Sequence, residues 1–140
     1  MSLRRGVVVI LVLASLVLPA GALAGGYSTG TPEQIAWVRR AATNFVTAEL
    51  ARNGEGACGI LNAPLRVSRH HTSCAQRMDA RIAATLRQPG GRSRLRAERR
   101  AIQWATVTVH GNVASIALPA ALMAGPNHFL WTENCWMLEG

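Results

Sequence analysis

The sequence has no lysine, a single aspartate, a single tyrosine and no apolar run long enough to cross a membrane. All 15 basic residues are arginines, a bias that suggests a GC-rich coding sequence rather than selection for guanidinium chemistry. The longest mainly apolar run extends only from Val7 to Leu18. About 20 residues are needed to span the hydrocarbon core of a bilayer, so an uncleaved membrane anchor is disfavoured.

The segment 1–24 has the layout of a secretory signal peptide. Arg4 and Arg5 precede the apolar run, and the small-residue sequence Ala22-Leu23-Ala24 follows it. We expect cleavage near Ala24, and the next residues, Gly25-Gly26, offer no thiol for a lipid anchor. The mature protein would then be secreted or held in the periplasm or cell envelope.

Cleavage at this point leaves a mature chain that is long enough for one domain. We expect a flexible linker over 25–31 and a single domain over 32–140. The mature chain keeps 13 arginines against 7 acidic residues, a net charge of about +6. We interpret this charge first as a solvated basic face. The alternative is a partner for the charge, and for an exported protein that partner would be an anionic envelope surface; we do not expect nucleic acid.

Helical signals occupy the first half of the chain. Thr31, Pro32 and Gln34 form a capping box that predicts the start of a long helix. Apolar residues at helical spacing and the breakers that follow them predict three helical segments, at about 31–53, 57–61 and 73–88.

The second half begins with a run of five arginines from Arg92 to Arg100 and then becomes rich in β-branched residues. The expected strands run over 101–109, 113–118, 128–132 and 135–138. Gly111-Asn112 is a hairpin-turn signal, and Pro119 to Pro126 is an apolar connection that could be a lid, an interface or a plain loop. Helices followed by antiparallel strands predict an α+β fold, with the N-terminal helices packed on the sheet.

Five short motifs follow one another in this order. They are Phe45 with Ala48 and Gly54, then Ala57-Cys58-Gly59-Ile60-Leu61, Ser73-Cys74-Ala75, His110-Gly111-Asn112-Val113-Ala114 and Trp136-Met137-Leu138-Glu139-Gly140. The series resembles the nuclear transport factor 2-like superfamily, also called the ketosteroid-isomerase-like or cystatin-like α+β cone, and within it small exported actinobacterial-type members. The resemblance implies a curved sheet around a helix layer, a cavity at one end of the cone, and pairing through the sheets as a homodimer.

The cysteines allow three uses. Cys58 and Cys74 could form a disulfide, bind zinc with His70 and His71, or supply a thiolate to a Cys/His nucleophile pair. An oxidising compartment favours the disulfide. The spacing of the four residues is unlike that of common zinc sites, so no metal is expected. Cys135 is expected to be a buried free thiol, with intermolecular pairing as the alternative.

Members of the superfamily use the cavity for isomerisation, dehydration or hydrolysis, or to bind a small apolar molecule, so the fold leaves the function open. The steroid-isomerase type needs an aspartate base, a tyrosine and a second aspartic acid. This chain has only Asp79 and Tyr27. We therefore expect no catalytic residue and no cofactor.

The expected function is that of an exported, non-enzymatic binding or interaction module for a small apolar or amphipathic ligand. A cavity-based enzyme of isomerase, dehydratase or hydrolase type is the alternative. Aromatic side chains are suited to line such a cavity. The expected lining residues are Phe45, Trp104, Trp131 and Trp136.

Overall fold

The structure is a computed structural model that describes residues 27–61, 73–122, 128–132 and 135–139. The expected signal peptide and residues 25 and 26 of the expected linker lie outside these ranges. The described helices are α1 (Pro32–Leu50), α2 (Gly54–Ile60), α3 (Cys74–Arg87) and α4 (Gly91–Ile102). The described strands are β1 (Thr106–His110), β2 (Val113–Ala117), β3 (His128–Thr132) and β4 (Cys135–Glu139), with a 3-10 turn at Ala120–Leu122 between β2 and β3.

The predicted capping box begins α1. The Thr31 hydroxyl accepts the Gln34 amide at 3.2 Å, and the Gln34 side chain accepts the Thr31 amide at 2.9 Å. From this start the apolar stripe of α1 enters the core, where Val38 and Phe45 are buried. A second capping box, between Ser73 and Gln76, begins α3.

The predicted start of the first strand is wrong, and the sequence pattern predicts no helix for the basic run. The run forms helix α4, and the strand expected from Ala101 begins only at Thr106. Leu95 and Ile102 are the buried apolar anchors of the helix, too few among arginines for the helical period to be recognised. Gly90, the N-cap residue of α4, has a left-handed backbone conformation, with φ of 72°. A side chain on Gly91 would overlap the carbonyl of Thr85.

The four strands form one antiparallel sheet in the order β1-β2-β3-β4. Gly111-Asn112 makes the predicted two-residue turn between β1 and β2, with Gly111 at φ of 59°. Buried side chains in cross-strand register form the face that packs on the helices: Val107, Ala114, Ile116, Phe129 and Leu138. The predicted α+β class, with the helices packed on an antiparallel sheet, is confirmed.

Short segments of the same chain lie beside both outer strands. Thr29 pairs in parallel with Thr108 of β1, and the Thr29 amide donates to the Val107 carbonyl at 2.8 Å. Residues 28 and 29 of the expected flexible linker are therefore held against the sheet. At the opposite edge, Leu61 pairs in parallel with Leu138 of β4.

A disulfide between Cys58 and Cys74 joins α2 to α3, with a Cα–Cα distance of 5.9 Å. The predicted pairing is thus confirmed. A zinc site and a Cys/His nucleophile pair would each need one or both of these sulfurs as a thiolate, so the bond is incompatible with both alternatives. His70 and His71 lie outside the described residues.

Within the described ranges, none of the helices combines the length and the apolar character that crossing a bilayer would require.

Replacing both bonded cysteines by alanine should lower the free energy of unfolding by about 3 kcal/mol, because the bond closes a loop of 16 positions in the unfolded chain. For a domain of this size that corresponds to a fall in Tm of about 10 °C or more. Thermal unfolding followed by circular dichroism would measure it. Adding reductant should lower the Tm of the parent protein and leave that of the double variant unchanged; equal effects on both would contradict the assignment.

Candidate functional site

An open cleft of about 300 Å³ lies where α1, the end of α2 and β4 meet. We call it the α1–α2 cleft. Its walls are mainly apolar, with one arginine and one asparagine among the lining residues, which are Trp37, Arg40, Ala41, Asn44, Gly59, Ile60 and Met137. Concave apolar surfaces that carry a few polar groups are the usual form of small-molecule sites.

Helix α1 supplies one wall of the cleft because its residues three, four and seven positions apart share a face. Trp37, Arg40 and Asn44 follow that spacing, next to the buried stripe that contains Val38 and Phe45. The opposite wall comes from Gly59 and Ile60 at the end of α2. Two adjacent faces of α1 therefore have different roles: one packs into the core and the other lines the cleft.

Two indole rings meet near this wall. The ring centroids of Trp37 and Trp131 are 5.6 Å apart, with their planes tilted by 44°. The exposed fractions are 44% for Trp37 and 38% for Trp131, which are large values for tryptophan. The pair links α1 to β3 and leaves part of the Trp37 ring available to a molecule in the cleft.

The structure does not bring the four sequence-predicted lining residues together. Phe45 is buried in the core, where the guanidinium carbon of Arg81 lies 5.9 Å from its ring centroid. Trp104 belongs to the turn after α4, not to a strand, and is 89% exposed. Trp131 contacts Trp37, while Trp136 is paired with Trp131 in the β3–β4 register. The side chains of Trp136 and Cys135 lie outside the described residues.

A second cleft, of about 360 Å³, lies along α3 beside the end of α1. Its apolar floor contains Ile82 and Leu86, and Arg52, Asp79 and Arg87 also line it. The Asp79 carboxylate accepts the Gly54 amide at 2.9 Å, so it ties α2 to α3. This cleft has fewer features of a ligand site, since its acidic side chain already has a structural role.

A cluster of four charged residues lies between three helices. Glu49 of α1 and Glu98 of α4 are buried, and the half-buried Arg81 of α3 and Arg94 of α4 act on both carboxyls. The Arg94 side chain donates to Gln88 at 3.1 Å, while its Nε atom and Glu98 Oε2 have no hydrogen-bond partner among the described residues. Because both carboxyls are buried close to each other, the free energy of ionising the second is higher once the first carries its charge.

Burial, and after it the nearby Glu49 carboxylate, raise the pKa of Glu98 to about 7, against the opposing effect of Arg94 and Arg81. Burial also raises the pKa of Glu49 above its usual 4.5, against the attraction of Arg81 and Arg94. A carboxyl that titrates near neutrality is often an acid or base in catalysis. Neither of these two is among the described residues that line the clefts. The arrangement therefore gives them a structural role.

Sequence reasoning missed Trp37, Glu49 and Glu98. The last two could have been found from spacing, since Glu49 falls four residues after Phe45 on the buried stripe of α1, and Glu98 lies between Leu95 and Ile102. Trp37 lies on a second stripe of α1, at helical spacing from the residues that share its wall of the cleft.

Comparisons with protein families, with curated proteins and with solved structures found no match to this chain. The resemblance to the nuclear transport factor 2-like superfamily therefore stays a prediction.

The pKa of Glu98 makes stability depend on pH. The folded carboxyl holds its proton more tightly than the unfolded one, so its contribution is complete below about pH 4.5 and is lost as pH rises through about 7. The Tm should rise by several degrees when the pH falls from 8 to 5. In Glu98→Gln this rise should be much smaller, and the variant should be more stable than the parent at pH 8.

Differential scanning calorimetry across that range would measure the effect. The exposed Glu55 provides the control, because Glu55→Gln should keep the pH dependence of the parent protein. Equal slopes for the parent and for Glu98→Gln would contradict the assignment.

Proposed function

We propose that this protein is an exported, non-enzymatic binding module that holds a small amphipathic ligand in the α1–α2 cleft. The observation that carries the proposal is the composition of the cleft. Trp37, Ile60 and Met137 offer apolar surface for a hydrocarbon or ring, while Arg40 and Asn44 offer hydrogen-bond donors for one polar end.

Charge selects the polar end of the ligand. Arg40 is exposed and is the only ionisable side chain among the described residues that line the cleft. Guanidinium groups prefer carboxylate or phosphate oxygens because they can donate two parallel hydrogen bonds to them. The favoured ligand is therefore a small molecule with an apolar body and an anionic head.

The same composition argues against the enzymatic alternative. Isomerase, dehydratase or hydrolase chemistry needs a group that accepts or donates a proton near the substrate. The two buried carboxyls with raised pKa, Glu49 and Glu98, are packed among the helices, and the described lining of the cleft contains no carboxyl or imidazole group. The chemistry of the walls supports retention of a ligand over its conversion.

Export is supported by two independent features. The basic, apolar and small-residue parts of the segment 1–24 match a signal peptide. The disulfide between Cys58 and Cys74 is of the kind that persists outside the cytosol. The cone resemblance and a sheet-paired homodimer belong to the same proposal, and the order of helices before an antiparallel sheet supports the former.

Calorimetric titration with decanoate and with decanol, both below their aggregation limits, tests the proposal. Decanoate should bind, and Arg40→Gln should weaken its affinity about tenfold, because a charge-assisted hydrogen bond contributes roughly 1.5 to 3 kcal/mol. The same variant should leave decanol binding nearly unchanged. Trp37→Ala should weaken the binding of both.

Trp104→Ala is the matched control, since it removes a tryptophan that lies outside the cleft. It should bind both compounds like the parent protein. The absence of decanoate binding, or an equal loss in Trp37→Ala and Trp104→Ala, would overturn the proposal.

A further inference from the structure

The outer side of α4 is a basic face. Four arginines at positions i, i+4, i+7 and i+8 share one side of the helix and are all exposed; they are Arg92, Arg96, Arg99 and Arg100. A helix of this length extends about 18 Å, so the four guanidinium groups lie along a narrow strip. We call this strip, together with Trp104 after it, the α4 face.

The charge of the α4 face is not neutralised from within its own helix. Glu98 is the only acidic residue of α4, and it lies on the buried side with Leu95 and Ile102. The fifth arginine, Arg94, belongs to the buried cluster, where its charge opposes the rise in the pKa of Glu98. The two sides of the helix therefore divide into a packed side and a strongly positive outer side.

Trp104 follows Arg100 by four residues and carries a large apolar ring that is 89% exposed. The turn that carries the ring is ordered, because the Trp104 amide donates to the Ala101 carbonyl at 3.0 Å and the Arg39 guanidinium donates to the Ala105 carbonyl at 2.9 Å. Gln103 donates to the Thr43 hydroxyl at 3.3 Å. An ordered turn thus carries a ring that is exposed to solvent.

We infer that the α4 face docks the protein on the surface of an anionic phospholipid bilayer. Arginines bind lipid phosphates, and tryptophan prefers the boundary between headgroups and acyl chains. The surface potential of an anionic bilayer attracts each nearby arginine, and the ring adds apolar contact just below the headgroups. This surface is separate from the α1–α2 cleft, so the inference goes beyond the proposed function.

Charge complementarity alone would also suit nucleic acid, but two observations favour lipid. The disulfide of Cys58 and Cys74 indicates an oxidising compartment, where bilayer phosphates are the abundant partner. Proteins that hold single-stranded nucleic acid place aromatic rings among their cationic groups so that successive bases can stack. Here the single ring, Trp104, lies at one end of the strip and none lies between the arginines.

Vesicle co-sedimentation of the purified, disulfide-bonded protein tests the inference. The probes are vesicles of pure phosphatidylcholine and vesicles of phosphatidylcholine mixed with phosphatidylglycerol, each in low and in high concentrations of NaCl. The parent protein should bind only the anionic vesicles, and high salt should release it because screening shortens the reach of the surface potential. Arg96→Gln combined with Arg99→Gln should weaken binding about 25-fold, or about fivefold for each charge removed.

The matched control removes two exposed arginines outside the α4 face, Arg52 and Arg87, by the same change to glutamine. It lowers the net charge equally and should weaken binding less than about threefold, since only charges near the bilayer contribute strongly. Trp104→Ala should bind more weakly than the parent protein and should lose the fluorescence quenching that brominated lipids cause in the parent. Circular dichroism would verify that each variant is folded.

Three results would overturn the inference. One is equal loss of binding in the two double variants, which would indicate an effect of net charge alone. Another is equal binding to vesicles with and without phosphatidylglycerol. The third is retention on a single-stranded oligonucleotide without retention on anionic vesicles, which would assign the α4 face to nucleic acid.

Discussion

The covalent bond between Cys58 and Cys74 is the constraint on which the α1–α2 cleft depends. Helix α2 has only seven residues, and an isolated helix of that length is not stable in water. The bond fixes it to the longer α3, and the Asp79 carboxylate supports the same junction by accepting the Gly54 amide. Gly59 and Ile60, which form one wall of the cleft, come directly after Cys58 in the chain, so the disulfide fixes their position.

Helices α1 and α4 each combine a buried side with a surface that carries a proposed function. The α1 stripe fills the core while its neighbouring face lines the cleft, and α4 buries Leu95 and Ile102 while presenting its arginines to solvent. The carboxyls of Glu49 and Glu98 come from the buried sides of these two helices. Burying them is costly, and such groups can select one arrangement of helices over others. In this protein the cluster lies on the buried side of α4, away from its exposed arginines.

The elements that could be predicted from sequence are those with strong local signals. The capping hydroxyl of Thr31 and the Gly111-Asn112 turn each define a boundary without help from distant residues, and the β-branched runs indicate strands although not always where they begin. Helix α4 could not be predicted in this way. It has few apolar anchors, and these are buried only because α1 and α3 pack against them. The α1–α2 cleft is formed by segments far apart in the chain, so no local pattern indicates that Trp37, Ile60 and Met137 are neighbours.

The pairing of Thr29 with β1 and of Leu61 with β4 affects how readily molecules of this protein can associate through the edges of their sheets at high concentration. A sheet with bare outer strands can be lengthened by a strand from another molecule, which is how fibrils grow. Here the backbone of the same chain already occupies part of each border. A foreign strand would have to displace residues 28 and 29 at one side or Leu61 at the other, so the fold carries its own barrier against growth along the hydrogen-bonding direction.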